Sequence, residues 1–188
     1  MREVLIVFYS RSGTTGLVAQ ALATALGADL DRITTATSYA GAAGYMRGIW
    51  HALRQIGPPV RRHFDPGQFK TVVLCSPVWA GRLSGPMRTY LREAGEMAHV
   101  FGVAVSGSGG PQTSFFREME RISGRAGIPA LSLSQRQVLT GAYRPALDAF
   151  AQKVRHVRGD AAEDRPRAGG DATGRPGSHG LPDGGLIA

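Results

Sequence analysis

Residues 4–9, Val4-Leu5-Ile6-Val7-Phe8-Tyr9, form an unbroken apolar run of β-branched and aromatic side chains, and nothing constrains the fold of this chain more than what comes directly after it. With no charge among them, these residues suit a strand covered on both faces, as in a parallel sheet. Ser10-Arg11-Ser12-Gly13-Thr14-Thr15 follows at once, and then Leu17, Val18, Ala21, Leu22, Ala25 and Leu26 recur at helical spacing. A hydroxyl-rich loop therefore joins the carboxyl end of a strand to the amino end of a helix. Such a helix start leaves unpaired N–H groups and carries roughly half a positive charge from its dipole, which favours an anion there. Ser10, Ser12, Thr14 and Thr15 can add hydroxyl donors, and Gly13 permits a tight turn. Neither G-x-x-x-x-G-K-[ST] nor a G-x-G-x-x-G opening this helix is present, so ATP and NAD are not the first expectation for this loop.

The same pattern recurs. Thr71-Val72-Val73-Leu74-Cys75-Ser76 is a second buried-strand run, ended by Pro77-Val78-Trp79-Ala80-Gly81-Arg82 and followed by a helix through Met87, Tyr90 and Leu91. Val100 to Val105 leads into Ser106-Gly107-Ser108-Gly109-Gly110-Pro111 and a helix containing Phe115, Met119 and Ile122. Ala28–Ile33 and Ala130–Leu133 supply two further short strands, and Leu147, Phe150, Ala151 and Val154 a closing helix. Alternating strands and helices predict a parallel sheet with helices on both faces, whose ligands bind outside the carboxyl ends of the strands. Between the second and third strands a helix is expected from about Gly44, halted by Pro58-Pro59; its aromatics, Tyr45 and Trp50 among them, are expected to pack onto the sheet rather than touch a ligand.

Charge narrows the classes of function. Lys+Arg 22 against Asp+Glu 14 gives +8. The basic residues are dispersed, with only Arg61-Arg62 adjacent, and no basic cluster interleaved with aromatics occurs, so nucleic acid is not the expected partner. One cysteine, Cys75, allows no intramolecular disulfide and reads as a small core residue rather than a redox thiol, and the five histidines lack ligand spacing, so no metal site is expected. No apolar run reaches the roughly 18 residues of a membrane span, and the amino terminus reads as a strand, which gives a cytoplasmic expectation. At 188 residues a single domain is expected, over residues 1–157. Residues 158–188, rich in Gly, Pro, Asp and Arg and almost without large apolar side chains, read as a disordered tail of net charge −1, which leaves +9 on the folded part.

The three loops together resemble those of flavodoxins and flavodoxin-like oxidoreductases. Ser10-x-Ser12-Gly13-x-Thr15 is similar to the [ST]-x-[ST]-G-x-T loop that grips the phosphate of FMN in that family. Ser76-Pro77-Val78-Trp79-Ala80-Gly81-Arg82 is similar to the loop that lies against the isoalloxazine ring, and Ser106-Gly107-Ser108-Gly109-Gly110 occupies the place of the remaining flavin loop. The resemblance covers about residues 3–157. It implies a three-layer αβα sandwich with a five-stranded parallel sheet in the order 2-1-3-4-5 and all three loops on one edge. It further implies noncovalent FMN, with Ser10, Arg11, Ser12, Gly13, Thr14 and Thr15 on the phosphate and Pro77, Val78, Trp79, Ala80, Gly81, Ser106, Gly107, Ser108, Gly109 and Gly110 around the ring. Arg11 either pairs with the phosphate or points to solvent, and Trp79 is expected to stack on the flavin. The tyrosine that many flavodoxins place in the third loop is missing here, with Phe115 and Phe116 further on. No general acid or base is expected, because the flavin carries the chemistry.

Within the family the sign of the charge discriminates. One-electron shuttles of this kind are typically acidic, whereas a positive surface attracts NAD(P)H and favours an anionic reduced flavin. The expected function is therefore reduction of a quinone, flavin or similar acceptor by NAD(P)H. The alternatives are a flavodoxin-type electron carrier with a redox protein partner, and a binding module without redox activity. A homodimer is open.

Overall fold

The structure, a computed structural model, describes residues 2–163. Its first strand shows why the apolar run is continuous. In β1 (Arg2–Phe8) and the residue beyond it, Leu5, Val7 and Tyr9 face one hydrophobic core while Val4, Ile6 and Phe8 face another. A strand alternates its side chains between two faces, so a strand covered on both needs an apolar residue at every position. β3 (Phe69–Trp79) repeats the device, with Val72 and Leu74 on one side and Val73 and Cys75 on the other.

Around these two strands stand β2 (Asp29–Arg32), β5 (His99–Ser106) and β6 (Ala130–Ser134), all parallel, in the order β2-β1-β3-β5-β6. Counted along the parallel set, that is the expected 2-1-3-4-5. β4 (Arg82–Leu83) was not expected; it pairs antiparallel with the end of β3, Val78 opposite Leu83 and Trp79 opposite Arg82, which makes the sheet six-stranded. Helices α1 (Thr14–Leu26), the short α5 (Gln135–Thr140) and α6 (Arg144–Glu163) cover the face of Ile6 and Val73, with Val18, Leu22, Val138, Leu147, Phe150 and Val154 buried there. α2 (Gly41–Leu53), α3 (Gly85–Glu93) and α4 (Thr113–Ser123) cover the opposite face through Ala52, Met87, Tyr90, Leu91, Phe115 and Met119. α6 continues past the boundary expected at 157, to Glu163; the rest of the expected disordered tail, residues 164–188, lies outside the described residues.

The orientation of α2 corrects an expectation. Its aromatics do not pack onto the sheet: Tyr45, Met46, Trp50 and Leu53 are 49–62% exposed, while Gly44, Gly48 and Ala52 form the buried stripe. These small residues, four apart, let the helix backbone come close, and a Cβ at Gly48 would lie 3.2 Å from the Trp79 ring. The segment after β2 is anchored by Asp31, wholly buried, whose carboxylate accepts from the backbone N–H of His63 and Phe64 at 3.0 Å each. No helix among the described residues is long and apolar enough to cross a membrane.

Candidate functional site

Sheet order determines which loops meet. β1, β3 and β5 are neighbours, so the segments following them emerge side by side. The register, Phe8 beside Cys75 and Pro77 beside Val105, sets Ser10, Pro77 and Ser106 at nearly one level.

In the first loop Gly13 takes φ +95°, its N–H donates to Ser10 Oγ at 3.1 Å, and Ser12 and Thr14 share a hydroxyl contact of 3.3 Å. None of these hydroxyls caps α1, so the N–H groups of its first turn face outward without a side-chain acceptor. α5 differs, since Ser134 and Gln137 close a full capping box there. Arg11 is exposed and meets no carboxylate among the described residues; its guanidinium lies 5.3 Å from the centre of the Tyr45 ring. A cavity of about 240 Å³ opens beside this loop toward β2, lined by Tyr9, Arg11, Arg32, Thr34, Thr35 and Ser38 among others. Burial raises the pKa of the Tyr9 hydroxyl at its edge, and Arg11 and Arg32 oppose that rise.

The second segment is a hairpin turn rather than an open loop. β3 runs through Pro77 and Val78 to Trp79, and Ala80 and Gly81, at φ 49° and 75°, make a two-residue connection to β4. Two successive positive φ angles match the right-handed twist of the strands they join. At the base, Ser76 Oγ and Ser84 Oγ lie 2.9 Å apart. Trp79 is not an exposed platform for a planar ligand. Its ring is 6% exposed, 4.8 Å from the Tyr39 ring centre and edge-on to Tyr9 at 5.8 Å. The ring packs into the core on the α2 side, where a Cβ on Gly48 would stand 3.2 Å from it, although the alternation of Val72 to Cys75 would have placed residue 79 on the other face. Tyr39 in turn contacts His51 Nδ1 at 2.8 Å; burial and the charge of nearby Tyr9 push its hydroxyl up to about 12. Cys75 is buried, and burial pushes its thiol well up, as a core residue requires.

The third loop is braced from within. Ser106 Oγ accepts from the Gly109 N–H at 2.9 Å, and Gln112 Nε2 donates to the carbonyls of Gly109 and Gly110 at 3.0 and 3.2 Å. Gly109 and Gly110 have φ near +78°, which excludes most side chains. Gly107 has neither a positive φ nor any atom within 4 Å of an added Cβ, and Cβ positions on Gly13, Gly81 and Gly110 are equally open. Bare backbone thus borders free space in all three loops.

Sequence reasoning missed the bracing Gln112, whose signal was an amide directly before α4, and the hairpin, signalled by Val78-Trp79 before Ala80-Gly81 and Leu83 after it. It also missed Arg88. This side chain is fully buried, donates from Nε to Glu118 Oε1 at 2.6 Å and from its terminal nitrogens to the carbonyls of Leu83 and Ile56 at 2.9 and 3.0 Å. Glu118 also accepts from the Leu83 N–H, so the hairpin, the end of α2 and α4 share one polar knot. Among the described residues no group of His, Cys, Asp and Glu could hold a metal ion.

Comparison with solved structures gives the same architecture. A flavoprotein in complex with FMN from Lactobacillus acidophilus NCFM aligns with a TM-score of 0.57 at 16% identity, over 74% of this chain and 98% of that one. A flavodoxin, WrbA-like protein from Agrobacterium tumefaciens aligns with a TM-score of 0.55 at 14% identity, over 88% of this chain and all of the other. An NADH:FMN oxidoreductase in its apo form aligns with a TM-score of 0.55 at 12% identity, over 84% and 90%. No protein-family model matches the sequence, and no curated protein matches it. At these identities the likeness is one of fold, and the fold is flavodoxin-like.

Proposed function

We propose that this chain binds FMN noncovalently at the shared edge of the three loops and acts as an NAD(P)H-dependent oxidoreductase toward a quinone, flavin or similar acceptor. The observation that carries the reading is the free space over bare backbone in all three loops, above all at Gly107, which neither conformation nor packing requires to be glycine. A ligand approaching the main chain supplies the missing reason. FMN-bound and FMN-reducing proteins among the structural neighbours support the choice of ligand.

In this reading the uncapped first turn of α1, with the hydroxyls of Ser12, Thr14 and Thr15, binds the phosphate, and Arg11, poised over Tyr45, adds charge. Pro77, Val78 and the Ala80–Gly81 backbone orient the ring on one side, and Ser106 to Gly110 on the other. Trp79 acts beneath the hairpin, fixing its position from the core. The internal bonds of Ser106 and Gln112 hold the third loop in shape before the ligand arrives, so little ordering entropy is lost on binding. FMN, once bound, supplies hydride and electron transfer; the protein supplies orientation and field. A net charge of +9 over residues 1–157 favours approach of an anionic nicotinamide donor.

The test is to load the purified protein with FMN and add NADH or NADPH without oxygen. Loss of the flavin colour with at least one donor is expected; a colour that persists with both would refute the reductase reading.

A further inference from the structure

A second cavity, of about 250 Å³, lies behind the hairpin, lined by Gln55, Arg82, Ser114, Arg117, Glu118 and Arg121. Three arginines therefore line one space. The acid among them, Glu118, is 5% exposed and already engaged by Arg88 and the Leu83 N–H. Among the described residues Arg82, Arg117 and Arg121 form no ion pair and donate no hydrogen bond. Arg117 and Arg121 are exposed and stand four apart on α4, where like charges repel weakly, and an anion between them would relieve that repulsion.

We propose that Arg82, Arg117 and Arg121 form a phosphate-binding site for the nicotinamide donor, an inference that rests on the oxidoreductase reading above. Position supports this. Arg82 comes directly after the Ala80–Gly81 turn, and α4, which carries the other two, starts three residues after Gly110. The site is thus flanked by the continuations of both segments assigned to the flavin ring. Size supports it too: about 250 Å³ is below the roughly 300–1,000 Å³ of a pocket that encloses a whole drug-sized ligand, and suits the phosphorylated end of a dinucleotide whose nicotinamide lies elsewhere. Arginine is the side chain for such a group, because its planar fork bonds two phosphate oxygens at once. Ser114, in the first turn of a helix without a side-chain cap, adds a hydroxyl and the positive end of the dipole.

The experiment is calorimetric titration of the full chain, with and without FMN, by adenosine 2′,5′-bisphosphate and separately by inorganic pyrophosphate, repeated on Arg117→Gln, Arg121→Gln and the double variant. The expected result is one bisphosphate per chain, tighter than pyrophosphate, displaced by NADPH, weakened about tenfold by each substitution and about a hundredfold by both, with FMN affinity unchanged. Absence of bisphosphate binding, or binding that survives the double substitution, overturns the proposal. Pyrophosphate binding as tightly as the bisphosphate also overturns it, in favour of a site for free phosphate. A protein that takes up the bisphosphate at these arginines but fails to bind FMN sinks the flavin reading alone; one that holds FMN and bleaches with NADH but ignores the bisphosphate sinks this proposal alone.

Discussion

Replacing Arg88 by methionine should be the most damaging single change near the candidate site, although Arg88 touches no ligand. Methionine keeps much of the length and apolar stem but removes the charge and every donor. Glu118, 4% exposed at its side chain, then keeps only the Leu83 N–H, and a buried carboxylate stripped of its cation loses about 3–5 kcal/mol. The carbonyls of Leu83 and Ile56 lose partners at 2.9 and 3.0 Å, and wherever water cannot reach them each adds about 1–3 kcal/mol. Against a total stability of about 5–15 kcal/mol this is a large share, and for a chain of this size the carboxylate's loss alone corresponds to a fall in Tm of roughly 6–20 °C. Urea unfolding followed by tryptophan fluorescence suits the measurement, because Trp79 is buried and becomes exposed on unfolding. Arg88→Lys, which keeps the charge but not the fork, should fall between. Arg88→Met combined with Glu118→Met should recover part of the loss, since an apolar pair leaves no unpaired charge. A cost below about 1 kcal/mol for Arg88→Met, with an unchanged m-value, would refute the idea that this knot holds hairpin, α2 and α4 together.

Two glycine substitutions separate packing from binding. Gly44→Ala should destabilise by about 1–3 kcal/mol, because its Cβ would overlap the Tyr39 backbone carbonyl, whereas Gly107→Ala should stay within about 0.5 kcal/mol of the parent yet weaken FMN binding; equal stability losses would contradict the assignment. Burial, reinforced by the charges of Arg47 and Arg88, holds the His51 imidazole below its ordinary pKa, so the unfolded chain takes up a proton that the folded chain resists. Its contribution is therefore complete above the unfolded value of about 6.5 and is lost as pH falls through it toward the lower folded value; urea midpoints should drop between pH 7.5 and 5, and His51→Gln should flatten that drop.

The sheet was legible because strands buried on two faces are apolar through their centres, and the runs at 4–9, 72–75 and 100–105 satisfy that directly. The face of α2 was not, because its large apolar side chains drew attention while the buried contact is made by Gly44, Gly48 and Ala52. Small residues four apart mark close approach as surely as large ones mark burial. The placement of Trp79 was missed for a related reason. Ending the third strand at Ser76 turned the indole loose in a loop, whereas β3 runs on to Trp79 and the close approach of Gly48 on α2 encloses the ring. The arginine cluster needs two distant segments brought together by β4, itself only two residues long, so no local pattern announces it.

The central claim is that the three loops hold FMN by its phosphate and its ring together. An equilibrium titration of the purified protein with FMN, run beside riboflavin, tests it most directly. One FMN per chain with quenched flavin fluorescence, and riboflavin at least about a hundredfold weaker for want of the phosphate at the start of α1, is the result expected. Failure to bind either flavin, or equal affinity for both, would contradict it.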